Sequence, residues 1–409
     1  MKQKNSATIS RAALLSNYAA VDSILTSGSK KAGIRKPKII CVVKADAYGH
    51  GIDAVSSALG EAGCDFFAVS SEDEAVELRE LELRCGRHPE ILILGHVMPE
   101  NVDEMIARDI TCAAVSPDNA RELSEAAAAH NRRGRRIRED SLKIHIKLDT
   151  GMNRVGFAAD PDRLAGTVED IEAAAADPNL TVSGIFTHFA CADDELMDGQ
   201  ILPGCEDCGG YTMLQLGRYR AAVDALTRRG IDVGLRHCAN SAAALTCPDA
   251  YFDAVRAGVV LYGLMPDGKE DPRFRPAMRF DSTVVHIHRL APGERVSYGA
   301  EFTAERPTVL ATVGAGYADG FERAYRGCAV KIGGLPYRQV GRICMDQFMA
   351  DVTEPIGKPA PSSPPAVGEP VTLFGGDSGE SVNALARTAG TINYEVVCKV
   401  SKRVPRIVE

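Results

Sequence analysis

The sequence predicts an α/β fold: a closed (β/α)8 TIM barrel followed by a C-terminal mainly-β domain. From Lys38 to about Leu264, eight short apolar runs alternate with alanine-rich helical stretches. Eight alternations in about 225 residues match the usual size of a closed barrel, with a doubly wound sheet as the alternative. After Pro266 the texture changes to alternating strands separated by glycine turns, the pattern of hairpins. The expected division is residues 1–268 for the barrel and 269–409 for the β-domain, with the first residues free to pack on the β-domain.

The first run, KIICVV (38–43), is apolar without alternation, as in a strand covered on both faces. FFAVS (66–70), ILILGHV (91–97), TCAAVS (111–116), LKIHIKL (142–148), VSGIFTHF (182–189), LRHCAN (235–240) and YFDAVRAG (251–258) follow. SEDEAVELRELEL (71–83) and SPDNARELSEAAAAH (116–130) open on serine and acidic residues, which marks helix starts. The basic NRRGRRIRED (131–140) reads as a solvated loop. ADDELMDGQILPGCEDCGGYT (192–212) is long for its connection and carries Cys205 and Cys208 as CxxC. A metal site wants four ligands at recognisable spacing and only two are clear, so this stretch reads as a surface loop. Beyond the linker-like DGKEDPRFRPAM come VVHIHRL, PTVLATVGAGYA, CAVKIGGLPYRQV and PVTLFGGDS, with PIGKPAPSSPPAVGEP (355–370) as a proline-rich surface loop.

With 409 residues the chain has ample core, and its net charge of −8 argues against nucleic acid or an anionic membrane as the main partner. A small-molecule substrate fits better. Twelve cysteines lie scattered, mostly in apolar runs, as in a reducing cytoplasm. The N-terminus lacks the unbroken apolar core of a signal peptide, and no later run approaches membrane-spanning length.

Chemistry concentrates in CVVKADAYGHG (41–51). Lys44 closes the first strand run, at the carboxyl end where barrels place their active groups. Desolvation there lowers an amine's proton affinity, which makes Lys44 a candidate Schiff-base or general-base lysine. A strand-end lysine reaching into water is the ordinary alternative. Tyr48 and His50, in the same glycine-flanked loop, favour the chemical reading.

CVVKADAYGHG, LDTGMNRVGF, FTHFACAD, HCANSAA, VRAGVVLYG, RVSYGAEFTA and GRICMDQ occur in this order over nearly the whole chain. Together they resemble the alanine racemases, pyridoxal 5′-phosphate enzymes of fold type III, and seven motifs in register make coincidence negligible. By that resemblance Lys44 carries the cofactor and serves as one catalytic base. Tyr298 is the second, which racemisation needs because one base returning its proton to the same face only regenerates the starting enantiomer. A free phenol, with an ordinary pKa of roughly 10, is a poor base at neutral pH, so positive charge or hydrogen bonding must assist one in this role. Because Tyr298 falls in the β-domain, the resemblance implies a head-to-tail homodimer in which the partner subunit supplies it.

The remaining roles are implied in the same way. Arg256 faces the pyridine nitrogen; always charged, it donates to the ring and weakens the cofactor as an electron sink. His188 stacks beside the ring and links Arg256 to Tyr298. The phosphate is held by Tyr48, Ser241, Tyr394 and the backbone of Gly258 and Val259, near the loops where barrels commonly bind phosphate. Arg154 takes the substrate carboxylate with the Met345 backbone, a pairing suited to a guanidinium. Lys147 matches a lysine carbamylated in many family members, which orients Arg154. Asp346, Tyr317, Arg323 and Arg342 resemble the lining of the substrate entry path, and no metal is expected. The expected activity is two-base interconversion of L- and D-alanine for peptidoglycan, in the cytoplasm, with no nucleic-acid or membrane partner. A serine or broad-specificity racemase is the alternative, since pocket width depends on side chains near Tyr394 and Met345. A decarboxylase built on the same two domains fits Tyr298 and the MDQ motif less well. A non-catalytic cofactor-binding protein would have no need of a β-domain with a second base.

Overall fold

The eight apolar runs become eight parallel strands that close on themselves. The computed structural model describes residues 4–134, 141–193, 208–359, 361–376 and 381–409. The barrel strands are Lys38–Val42, Phe66–Val69, Glu90–Ile93, Thr111–Ala114, Leu142–Asp149, Leu180–Phe186, Leu235–His237 and Ala254–Ala257. Each pairs in parallel with its neighbour in sequence, and the last returns to the first with Arg256 opposite Ile40. A doubly wound sheet would have two open edges; closure excludes it. Most strands are shorter than their runs: the third stops at Ile93, the seventh stops at His237 and the eighth begins at Ala254. Beyond those limits Val97 and Tyr251 leave the hydrogen-bonded ladder yet stay buried, whereas Leu94 and Phe252 are half-buried.

Local signals set the helices. Ser10 Oγ accepts from Ala13 N at the start of Arg11–Ala32, and Ser71 Oγ accepts from Glu74 N at the start of Glu72–Arg84. The helix Pro117–Gly134 runs into the stretch expected to be a loop. Residues 131–134 of that stretch are helical, so its start extends the helix, and residues 135–140 lie outside the described residues. Cys205 lies outside the described residues, and Cys208 opens the helix Cys208–Arg228.

The β-domain is organised around Met278–Leu290, which pairs antiparallel with Ser6–Ile9, Thr308–Val313 and Pro370–Gly375. With Phe348–Asp351, Leu335–Val340 and Ala329–Ile332 the last two complete a ring of strands. Ser6–Ile9 also pairs in parallel with Arg406–Val408, so both ends of the chain join this sheet. One continuous buried core spans the barrel and the β-domain, from Ile40 and Phe67 to Phe280, Phe374 and Val397. Among the described residues no helix is long and apolar enough to cross a membrane.

Candidate active site

Lys44 leaves the first barrel strand into an unusual turn. Ala45, Asp46, Ala47 and Tyr48 all have φ near +54°, a turn of left-handed helix built without glycine. Each such residue costs roughly 1–2 kcal/mol in a chain of L-amino acids, so the surroundings must hold it. Asp46 Oδ1 accepts from Ile52 N at 2.8 Å, and Glu74 Oε1 accepts from Ala45 N at 2.6 Å. Arg406 donates to Gly49 O through Nε at 2.9 Å and Nη2 at 2.8 Å, tying the C-terminal strand to the turn. His50 locks it from beneath, its Nδ1 lying 3.1 Å from Ala47 O and 2.9 Å from Tyr48 O. The sequence reading put a phenol and an imidazole within one loop of the amine; of the two, Tyr48 lines the cavity, whereas the His50 ring is buried against Tyr262 and does not.

That turn opens onto a cavity of about 670 Å³ at the carboxyl ends of the barrel strands. Lys44, Tyr48, Lys147, Arg154, His188, Ser241, Arg256, Gly258, Val259 and Tyr394 all line it. A second cavity of equal volume lies at the opposite barrel end, around Lys38, Leu235 and Asp253. There Arg236 already pairs with Asp253 at 2.7 Å and Lys38 with Asp65 at 3.5 Å, so its charges are largely satisfied. The chemistry therefore belongs to the first cavity, as the barrel rule anticipates.

Within it, burial first and then the charge of Arg154 lower the proton affinity of Lys44. The same two causes bring Lys147 down to about 8. Burial pushes the Tyr48 and Tyr394 phenols up, so both remain protonated donors. Ser241 Oγ accepts from Gly258 N at 2.9 Å, and a Cβ at Gly258 would stand 2.9 Å from Tyr48 Oη and 3.7 Å from Ser241 Oγ. Two hydroxyls thus converge on bare backbone, leaving a hollow where only glycine fits.

Arg256 is 3% exposed and donates only to neutral acceptors. Nη1 reaches His237 Nδ1 at 2.8 Å and His237 O at 3.2 Å. Nη2 reaches Thr187 O at 2.6 Å, Cys238 O at 3.0 Å and His188 Nδ1 at 3.3 Å. Burial, and next the Arg256 charge, hold His188 well below the usual histidine value, which keeps its imidazole neutral. Sequence reasoning missed His237, although it stands inside the quoted HCANSAA motif; a histidine on an apolar strand reads as core.

The other expected residues sit elsewhere. Tyr298 is 69% exposed and Met345 53%, and neither lines the cavity, nor do Asp346, Tyr317, Arg323 or Arg342. They share loops that are cross-linked into one exposed face. Ser297 Oγ donates to Arg342 O at 2.7 Å, Tyr317 N to Cys344 O at 3.1 Å and Ala318 N to Met345 O at 3.0 Å. Arg403 joins Asp319 and Asp346, both at 2.7 Å. Ser297 itself has φ +68° and ψ −179°, a region few side chains adopt, just before Tyr298.

Comparison with known proteins agrees with this architecture. Residues 9–266 match the family model "Alanine racemase, N-terminal domain" and residues 277–408 "Alanine racemase, C-terminal domain". The chain is 37% identical over 376 residues to an alanine racemase of Clostridium novyi, covering 90% of this chain and 88% of that one. Identity to alanine racemase 1 of Bacillus subtilis is 38% over 376 residues, covering 90% and 86%. The solved alanine racemase of Clostridium difficile superposes with a TM-score of 0.84 at 33% identity, covering 100% of this chain and 96% of the other. That of a D-cycloserine-producing Streptomyces lavendulae gives 0.83 at 30%, covering 100% and 98%. With both family models matched across the barrel and the β-domain, the chain belongs to the alanine racemase family.

Proposed function

We propose that the chain interconverts L- and D-alanine, holding pyridoxal 5′-phosphate at Lys44 and using Lys44 and Tyr298 as bases on opposite faces of the substrate's Cα. The observation that carries this reading is the meeting, in one cavity, of a desolvated amine at Lys44, the hollow between Tyr48, Ser241 and Gly258, and the Arg256 guanidinium. Those residues fit a phosphorylated pyridine aldehyde: the hollow offers protonated hydroxyls and bare backbone to a phosphate, and Arg256 offers a donor to a ring nitrogen. Bound there, the cofactor supplies an electron-withdrawing ring that acidifies the substrate's Cα–H.

The chain's own groups do the rest. Arg154 presents a planar fork to the substrate carboxylate, with the Met345 backbone as its partner in that task. Lys44, made less basic by burial, is free to take the Cα proton on its face. Tyr298 gives a proton to the other face, and the two exchange roles when the reaction runs backwards. His188, neutral and bonded to Arg256, is positioned to relay between that arginine and the tyrosine. In this reading Lys147 forms a carbamate that orients Arg154, Val259 and Tyr394 complete the phosphate site, and Asp346, Tyr317, Arg323 and Arg342 line the entry path.

A second copy of the chain completes the site. Tyr298 and Met345 are exposed on the β-domain and lie outside their own barrel's cavity, which supports a homodimer in which each β-domain serves its partner's barrel. We assign the product to D-alanine supply for peptidoglycan in the cytoplasm, where free buried cysteines such as Cys112 and Cys238 stay reduced. Purified protein incubated with pyridoxal phosphate and L-alanine, resolved by chiral chromatography beside serine and other L-amino acids, tests the reading. It predicts conversion of alanine to an equal mixture of enantiomers, and cofactor-loaded protein that forms no D-alanine refutes it.

A further inference from the structure

The barrel interior holds an imidazole that none of these roles uses. His145 is 2% exposed and sits two positions before Lys147, on the same side of the strand Leu142–Asp149. Barrel interiors are ordinarily filled by branched apolar side chains, so a polar ring there calls for a partner. His145 Nδ1 lies 3.0 Å from His237 Nε2, and His237 Nδ1 lies 2.8 Å from Arg256 Nη1. The three side chains form a line running from the middle of the barrel to the cavity.

The direction of that line follows from the chemistry of its last member. A guanidinium has donors only, so His237 Nδ1 must be the acceptor. The His237 proton then sits on Nε2 and is donated to His145 Nδ1, which leaves the His145 proton on Nε2. Burial drives His145 down to about 3 and His237 well below the usual value, so both rings are neutral. The geometry is tightly held. The His237 ring stacks on Phe186 at 4.9 Å and 5°, and the Arg256 guanidinium lies 5.4 Å from the same phenyl ring. On the neighbouring strand Gly184 leaves room for His145, because a Cβ there would stand 2.4–2.6 Å from three of its ring atoms.

We propose that His145 is a positioning residue: by accepting the His237 proton it fixes the tautomer that presents a lone pair to Arg256, and so aims the guanidinium into the cavity. The inference rests on the reading above in which Arg256 faces the cofactor ring. Without His145 the buried His237 Nε2–H loses its acceptor, and the other tautomer would set an N–H against the guanidinium.

Histidine-ring ¹⁵N spectra of the cofactor-free protein test the tautomer chain directly. At pH 7 both His145 and His237 should be neutral with the proton on Nε2; an Nδ1–H or cationic form of either overturns the proposal. Two variants of the cofactor-loaded enzyme test the consequence. His145→Leu should lower kcat by about tenfold, with KM for alanine changed less than about twofold and the bound cofactor's absorption maximum shifted. His145→Asn, whose amide oxygen stands near the place of Nδ1, should restore kcat to within about threefold. Equal losses in both variants, or an unchanged Leu variant, count against it. If the wild type shows the stated tautomers but racemises no alanine, the functional reading fails while the hydrogen-bond chain stands.

Discussion

At the residue scale, placement does what the side-chain types alone do not. Arg256 spends its hydrogen bonds on neutral acceptors, so its charge stays uncancelled and depresses the proton affinity of Lys147 and His188 after burial has done so. Lys44 combines the same influences, which suits an amine that must be neutral to act. If Tyr298 is the base for the L-enantiomer, Tyr298→Phe slows solvent-deuterium uptake from L-alanine by about 100-fold, with a smaller loss from D-alanine. Equal, small losses in both directions would remove the two-base reading. His50 carries a separate prediction. Burial lowers it to about 4, whereas in the unfolded chain it titrates near the ordinary 6.5. As pH falls the unfolded chain takes the proton first, so the His50 share of stability is whole above 6.5 and lost between 6.5 and 4. Chemical denaturation across that window should show a slope that flattens by up to about 1.4 kcal/mol per pH unit in His50→Gln. Lys44 and most of the cavity residues were legible because they sit in the quoted motifs, which Lys147 and Tyr394 do not; His145 and His237 were not legible, because a lone histidine in LKIHIKL or LRHCAN has the apolar neighbours of a core residue.

At the element scale, the turn after Lys44 is the part least visible in the sequence. Alanine and tyrosine have no preference for left-handed backbone and aspartate visits it only as single residues, and the contacts that enforce it come from Glu74 and Arg406, far away along the chain. Strain in Ala45–Tyr48 holds Lys44 and the Tyr48 hydroxyl on one cavity wall. Ala45 is exposed with φ +54°, so Ala45→Gly should raise stability by about 0.5–1 kcal/mol in thermal or chemical unfolding. Gly49→Ala should do the reverse, by about 2 kcal/mol or more, since φ is +79° and a Cβ would meet Val397 O at 2.3 Å. A stability change of the opposite sign in either variant would show that the turn is not strained as described. The barrel strands, by contrast, were readable in the sequence. Parallel strands buried on both faces appear as unbroken apolar runs, and only their ends, where the ladder stops at Ile93 or starts at Ala254, escaped the pattern.

At the scale of the whole molecule, Tyr298, Met345 and Asp346 are exposed on the β-domain and lie outside the barrel-mouth cavity that Lys44 lines, so the proposed pairing of Lys44 with Tyr298 calls for a second subunit. Hydropathy reports which residues are buried within one chain, so it carries no signal for residues shared between subunits; the β-domain was legible as strands, and the role proposed for it only through motif order. Mixing subunits tests the central claim most directly. Lys44→Ala and Tyr298→Phe chains are each expected to be inactive as homodimers. After dissociation and random reassociation, each heterodimer has one site with both residues intact, so the equal mixture should recover about a quarter of wild-type racemase activity. No recovery, with heterodimers confirmed by native mass spectrometry, would contradict the account.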